Sequence, residues 1–220
     1  MSRLGATGVK TTTAPVLFVP EMASGLISSL LGAISGGALY RKSSFLLDSL
    51  GTEVAAKHIS IREEPLLPGA MASAWFDGDG VATNAKPFIS DGVVASYLLG
   101  TYSARRLGME STGNASGAHN VIIEGNTLSR EALISGMDRG LIVTELMGQG
   151  VNAVTGDYSR GAAGFWVENG QISHPVEEIT IASNLKDMWK GVVAIGDDAD
   201  KRGNIRAPSI LIDSMTIAGA

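Results

Sequence analysis

Three histidines are the first residues that could carry chemistry, and their spacing removes most of it. His58, His119 and His174 stand far apart, and none has a partner at metal-ligand spacing. Each reads as a strand or loop histidine with an ordinary hydrogen bond. The chain has no cysteine, so thiolate–zinc sites and disulfides are impossible. A serine nucleophile on a sharp elbow would need Gly-x-Ser-x-Gly, which does not occur. Asp157-Tyr158-Ser159-Arg160 sets acidic, phenolic, hydroxyl and guanidinium groups side by side. With no evident histidine base, a structural turn is the favoured reading and a hydrolytic constellation the alternative. Gly148-Gln149-Gly150 runs on into Val-Asn-Ala and lacks the third glycine of a dinucleotide loop. Asp77-Gly78-Asp79-Gly80 lacks the remaining ligands of a calcium loop and reads as a tight turn. No metal site and no cofactor are expected in this chain from its own residues.

The elements that must position these groups are β-rich. Thr144 to Gly170 is dense in glycine between strand-like segments, so its backbone adopts positive φ or approaches another backbone or ligand closely. Two readings stay open for Gly148 to Gly164: tight packing of the core, or backbone offered to a peptide or partner as an added strand. Gly148, Gly150, Asp157, Tyr158, Ser159 and Arg160 are the candidate peptide- or partner-binding residues. Upstream, Met1 to Thr13 reads as a flexible lead-in, Ala14 to Val19 as a buried strand, and Pro20-Glu21 as the start of a helix running to about Ser35. Gly36-Gly37 ends or loosens that helix, and Tyr40 to Gly51 is either a second short helix or an ordered loop. His58 to Glu64 and His119 to Glu124 read as strands, and Tyr102 begins a helix-like stretch.

Lys86 to Ser90 and Val93 to Leu99 flank Asp91-Gly92 as a hairpin, and a second hairpin turns at Asn169-Gly170 between Gly164–Glu168 and Gln171–Pro175. Ser129 to Arg139 is expected as a helix stopped by Gly140, followed by a strand over Leu141–Leu146. Val176 to Ala182 is expected as a further strand, Asn184 as the cap of a short helix, and Val192–Gly196 and Pro208–Ile217 as the closing strands. The fold class that follows is α+β, with a mainly antiparallel, barrel-like sheet core and two or three helices, in one domain over residues 14–220.

Composition narrows the function. The formal charge is -5, and the basic pairs Arg41-Lys42, Arg105-Arg106 and Lys201-Arg202 are scattered, which argues against direct nucleic-acid binding. The longest apolar run, Gly25 to Leu39, is broken by serines and glycines and is too short to span a bilayer. A soluble, cytoplasmic protein with no membrane partner is expected.

Several long segments carry a family likeness: YRKSSFLLDSLG at Tyr40–Gly51, SARRLGMESTGNA at Ser103–Ala115, the Thr144–Gly170 stretch, and ITIASNLKDMW at Ile179–Trp189. Together they resemble the C-terminal domain of the TldD/PmbA metallopeptidase-like family, also labelled modulator of DNA gyrase, and within it the PmbA (TldE) branch. The resemblance implies that a second, N-terminal domain of the family is absent from this chain. Catalytic members carry His-Glu-x-x-x-His on the helix after the first strand, and a later cysteine completes their zinc site. Matched onto this chain, the first histidine is Pro20, the glutamate is retained as Glu21, the second histidine is Gly25, and Gly196 to Pro208 supplies no cysteine.

The resemblance therefore implies a non-catalytic subunit. Its TldD-type partner would hold the zinc, and the pair would process or degrade unfolded peptides, with microcin maturation and antitoxin turnover as roles. Alone, the chain could form a homodimer. An autonomous peptidase using a non-zinc site, and a binding module acting on DNA gyrase, are the alternatives.

Overall fold

The computed structural model of the chain describes residues 5–219. The first half of the chain runs through β1 (Thr12–Phe18), α1 (Pro20–Ala33), α2 (Gly36–Tyr40), β2 (Ser60–Glu63), β3 (Lys86–Ser90), β4 (Val93–Val94) and α3 (Thr101–Leu107). It continues with β5 (Val121–Glu124), β6 (Thr127–Leu128), α4 (Arg130–Ser135), β7 (Arg139–Met147), β8 (Asp157–Glu168) and β9 (Gln171–Asn184). The last elements are α5 (Leu185–Lys190), β10 (Val192–Gly196), β11 (Ile205–Arg206) and β12 (Ile210–Ala218). The fold is α+β with a β-rich core, as the hairpin signals require. Among the described residues there are five helices, not two or three, and three of them have six residues or fewer. None is long and apolar enough to cross a membrane.

The larger sheet is ordered β1-β7-β8-β9-β12-β10-β6, and β1 also pairs with β12. The strands β1-β7-β8-β9-β12 therefore close into a ring, which removes most free edges. All of its pairings are antiparallel except β1 with β7. The run APVLFV is apolar throughout because β1 is buried on both faces. Val16 and Phe18 join the main core against α1, while Leu17 and Val19 join a smaller one with Leu133 and Met137. The smaller sheet is ordered β11-β5-β2-β3-β4. Its β3–β4 hairpin turns at Asp91-Gly92, and the β8–β9 hairpin turns at Asn169-Gly170, where both residues have positive φ (51° and 71°).

Several expectations need correction. Strand β1 starts at Thr12, inside the expected lead-in, and Thr7 donates its N–H to Pro175 O, while residues 1–4 of that lead-in lie outside the described residues. Of the two readings of Tyr40 to Gly51, the ordered loop is the one observed; the short helix α2 lies before it and ends at Tyr40, with Ser35 accepting from Ala38 N–H as its cap. Helix α4 is capped by Ser129 as expected but stops at Ser135. Arg139 and Gly140 already belong to β7, and a side chain on Gly140 would reach within 2.9 Å of Pro15 O. The strand after Asp91-Gly92 spans only Val93–Val94. Gln171–Pro175 and Val176–Ala182 form one strand, β9, kinked where Glu178 takes a φ of 56°.

Candidate functional site

Strand β1 passes directly into α1, so the order Val19-Pro20-Glu21 fixes a carboxylate in the first helical turn. Proline suits that position because its missing N–H would have no helical partner there. The loop between β10 and β11 folds over this end of the helix. Glu21 Oε1 accepts from Arg202 Nη2 at 3.1 Å. The same guanidinium donates Nη2 and Nε to Asp200 Oδ2 and Oδ1 at 2.8 and 2.9 Å. Asp198 secures the far side of the loop, accepting from Ser209 N–H at 2.8 Å and from its hydroxyl at 2.6 Å. The chain thus brings Pro20, Glu21 and Gly25 together with Asp200 and Asn204 around a cleft of about 390 Å³. This is the part of the sequence-derived site that the fold assembles.

The side-chain hydrogen bonds from Arg202, followed by its backbone N–H, hold the Asp200 carboxyl down to about 2, and the same contacts raise the Arg202 guanidinium. A depressed carboxyl favours the folded loop above the ordinary carboxylate range, and that contribution is lost as pH falls towards 2. Carbon-detected NMR titration is expected to place the Asp200 midpoint near 2. In Arg202→Gln it should move towards the ordinary aspartate value of about 3.9. An Asp200 midpoint that does not move would refute the pairing.

Zinc requires a converging set of imidazole, thiolate or carboxylate donors. Here Pro20 and Gly25 carry no donor side chain, and Glu21 and Asp200 are both engaged by one guanidinium. Among the described residues no group of three or more His, Cys, Asp or Glu is placed to hold a metal. The donor chemistry of this cleft does not fit zinc.

The second candidate group is taken apart by the pleat. Asp157 to Arg160 form the start of β8, not a turn, so alternate side chains face opposite ways. Asp157 and Ser159 are exposed, whereas Tyr158 is buried with its ring edge-on to Phe18 at 6.5 Å. Burial pushes the Tyr158 hydroxyl up to about 12 against the opposing influence of Arg160. Asp157 is lowered first by the Thr155 hydroxyl, which donates at 2.6 Å, and then by Asn184. The four groups therefore converge on no common point.

Backbone for an added strand is also spoken for along β8. One edge pairs with β9, the other with β7 and then with Gly150–Asn152, where Ser159 N–H donates to Gly150 O at 2.7 Å. A Cβ on Gly150 would stand 1.4 Å from Ser159 O. Close packing is the role of Gly150. Gly148 has a φ of 77° and open space where its Cβ would be, so backbone conformation explains that one.

A third polar group escaped sequence reasoning. Glu63 on β2 is fully buried. Its Oε1 accepts from His119 N–H at 2.6 Å and from Asn114 Nδ2 at 2.9 Å, and lies 2.8 Å from His119 Nδ1; Oε2 accepts from Lys86 Nζ at 2.5 Å. Next to it, Asn120 takes Ala72 N–H and donates to Glu64 O and Ser73 Oγ. Burial pushes the Asp77 carboxyl up, but backbone donors from Ala115, Val81 and Asp79 outweigh it and lower it. Together these bonds tie the long loop after β2 and the segment before β5 onto the smaller sheet.

Residues 11–219 match the family described as the PmbA/TldA metallopeptidase C-terminal domain. The chain belongs to that family. It is 54% identical over 219 residues to the metalloprotease PmbA of Escherichia coli O157:H7 and 51% identical over 220 residues to a PmbA homolog of Haemophilus influenzae, covering all of itself and 49% of each. Among solved structures it resembles a protein described as a modulator of DNA gyrase from Bacteroides thetaiotaomicron, with a TM-score of 0.94 and 32% identity over 99% of this chain and 49% of the other. It also resembles TldE from Thermococcus kodakarensis, with a TM-score of 0.85 and 27% identity over 96% of this chain and 51% of the other.

The chain spans about half the length of the curated relatives it matches. Glu21, which the family likeness matches to a catalytic glutamate, is the residue of this cleft that sequence reasoning located. Arg202 and Asp200, which decide what that glutamate faces, carried only the faint signal of a charged pair two residues apart.

Proposed function

We propose that this chain is the non-catalytic, PmbA (TldE)-type subunit of a two-component cytoplasmic peptidase whose TldD-type partner carries the zinc. The observation supporting this reading is the surroundings of Glu21: a general-base position of the family, flanked by Pro20 and Gly25, with its carboxylate engaged by Arg202. A glutamate held in an ion pair, beside a proline and a glycine that offer no donor to bind a metal and activate a water, is not placed to act as a general base. The subunit instead completes the chamber around the partner's site and restricts entry to extended, unfolded chains, microcin precursors and antitoxins among them. The gyrase label attached to structural relatives fits an indirect effect through such peptides, since this chain's formal charge of -5 does not favour DNA contact.

The test is hydrolysis of a flexible peptide by this chain alone, by a zinc-loaded TldD-type relative alone, and by the two mixed. Cleavage is expected only in the mixture and is expected to vanish with chelator. Chelator-resistant cleavage by this chain alone would overturn the reading. If the mixture stays silent but a longer PmbA relative used in place of this chain restores cleavage, the subunit assignment holds for the family and pairing requires more than this domain.

A further inference from the structure

The pairs Arg41-Lys42 and Arg105-Arg106 are scattered in the sequence, but the fold gathers them. Helix α2 packs against α3, and the two tyrosines on these helices, Tyr40 and Tyr102, meet edge to face at 5.7 Å. The Arg41 and Arg106 guanidinium carbons both lie over the Tyr40 ring, 5.2 and 5.7 Å from its centroid. Arg41 Nη1 also donates to the Tyr40 hydroxyl at 3.0 Å. All four cationic residues are exposed, and among the described residues none of them is in an ion pair. Arg62, Lys86 and Arg202, by contrast, each hold a carboxylate.

A cleft of about 390 Å³ opens beside the ring, lined by Tyr40, Tyr102, Gly37 and Asp79. The Asp79 carboxylate is already committed to the start of α3, accepting from Thr101 N–H and Oγ1 at 2.8 and 2.6 Å.

From this arrangement we infer that the cationic face around Tyr40 docks an acidic polypeptide segment, with glutamate or aspartate side chains on the arginines and the segment's backbone along the cleft. A guanidinium seated on an aromatic face keeps a planar edge of donors turned outward, in the geometry that matches a carboxylate bidentately. Four uncompensated cations on a chain of net charge -5 form a local complement to a short acidic stretch. They do not form the long basic track along which a nucleic acid is held. The face lies beyond the far end of the 14-residue α1 from Glu21, roughly 20 Å along the helix, so it is separate from the cleft at Arg202. This inference stands whether or not the subunit reading holds.

The test is fluorescence anisotropy of the intact chain with three labelled probes: a glutamate-rich dodecapeptide, its lysine counterpart, and a single-stranded DNA dodecamer. Saturable binding of the glutamate peptide is expected, weakening as salt rises from about 20 to about 300 mM. The lysine peptide is not expected to bind. Arg41→Gln/Arg106→Gln should weaken the glutamate peptide roughly tenfold, with an unchanged melting transition as the folding control. Lys42→Gln/Arg105→Gln provides a second variant that leaves the stacked arginines in place and is expected to weaken binding by a smaller factor. Absence of saturable binding by the unaltered chain, unchanged affinity in the stacked-arginine variant, or tighter binding of the DNA than of the glutamate peptide would each overturn the inference.

Discussion

Replacing Glu63 by leucine is expected to destabilise the protein by about 3–5 kcal/mol, because it strands a half-buried ammonium and buried polar partners. The carboxylate has no solvent exposure and satisfies the Lys86 ammonium, the Asn114 amide and the backbone N–H of His119 at once. Leucine fills similar space but removes the carboxylate. Lys86 Nζ then keeps only Asn84 O, Asn114 Nδ2 keeps only Gly117 O, and the His119 N–H loses its acceptor. An unpaired buried donor is costlier than a missing bond. In urea the midpoint should fall while the slope stays the same, which marks a change in stability without a change in compactness. Glu63→Leu/Lys86→Met should recover part of the loss, since removing both charges leaves no ion to desolvate. If the single variant loses less than about 1 kcal/mol, the network is not what holds the loops after β2 and before β5 in place.

That network also marks where sequence reasoning reaches its limit. Strand β1 and helix α1 were legible because burial on both faces and a 3.6-residue apolar repeat are written locally. The Asn169-Gly170 turn was legible because both residues must take positive φ, which few residue types accept. Glu63 and His119 are 56 residues apart and meet only because β2 and β5 pair. No local period encodes that pairing. Arg202 reaches Glu21 across 181 residues for the same reason.

Asp157 to Arg160 failed differently. The lack of a histidine base favoured a structural turn, yet the alternation of exposed Asp157, buried Tyr158 and exposed Ser159 is the two-residue period of a strand. The glycines around it belong to strand contacts and loop geometry. Even the basic pairs were visible as pairs, but their union required α2 to land on α3. At Gly36 any larger residue would drive its Cβ into the Ser103 side chain.

Gly164→Ala is expected to be as damaging as the loss of Glu63, although it adds a single methyl group. Gly164 lies in β8 opposite Val143, and a Cβ there would come within 1.8 Å of Ile142 O and 2.9 Å of the Ile142 carbonyl carbon. Both are backbone atoms of the neighbouring strand, so no rotamer change relieves the clash. Strands β7 and β8 would have to part, breaking ladder bonds in a ring that closes through β1. A loss of at least about 3 kcal/mol, or failure to fold, is the expected outcome.

Gly148→Ala provides the contrast. Its φ of 77° gives strain of about 1–2 kcal/mol, and no heavy atom lies within 4 Å of the added carbon. Paired melting curves of the two variants decide the matter. Equal, mild effects would mean that the strands can separate without penalty and that close approach is not why glycine stands at 164. The larger effect at 164 would tie the glycine-rich stretch to the candidate site. The pairing of β7 and β8 keeps the ring closed on β1, and β1 leads straight into the helical turn that holds Glu21 against Arg202.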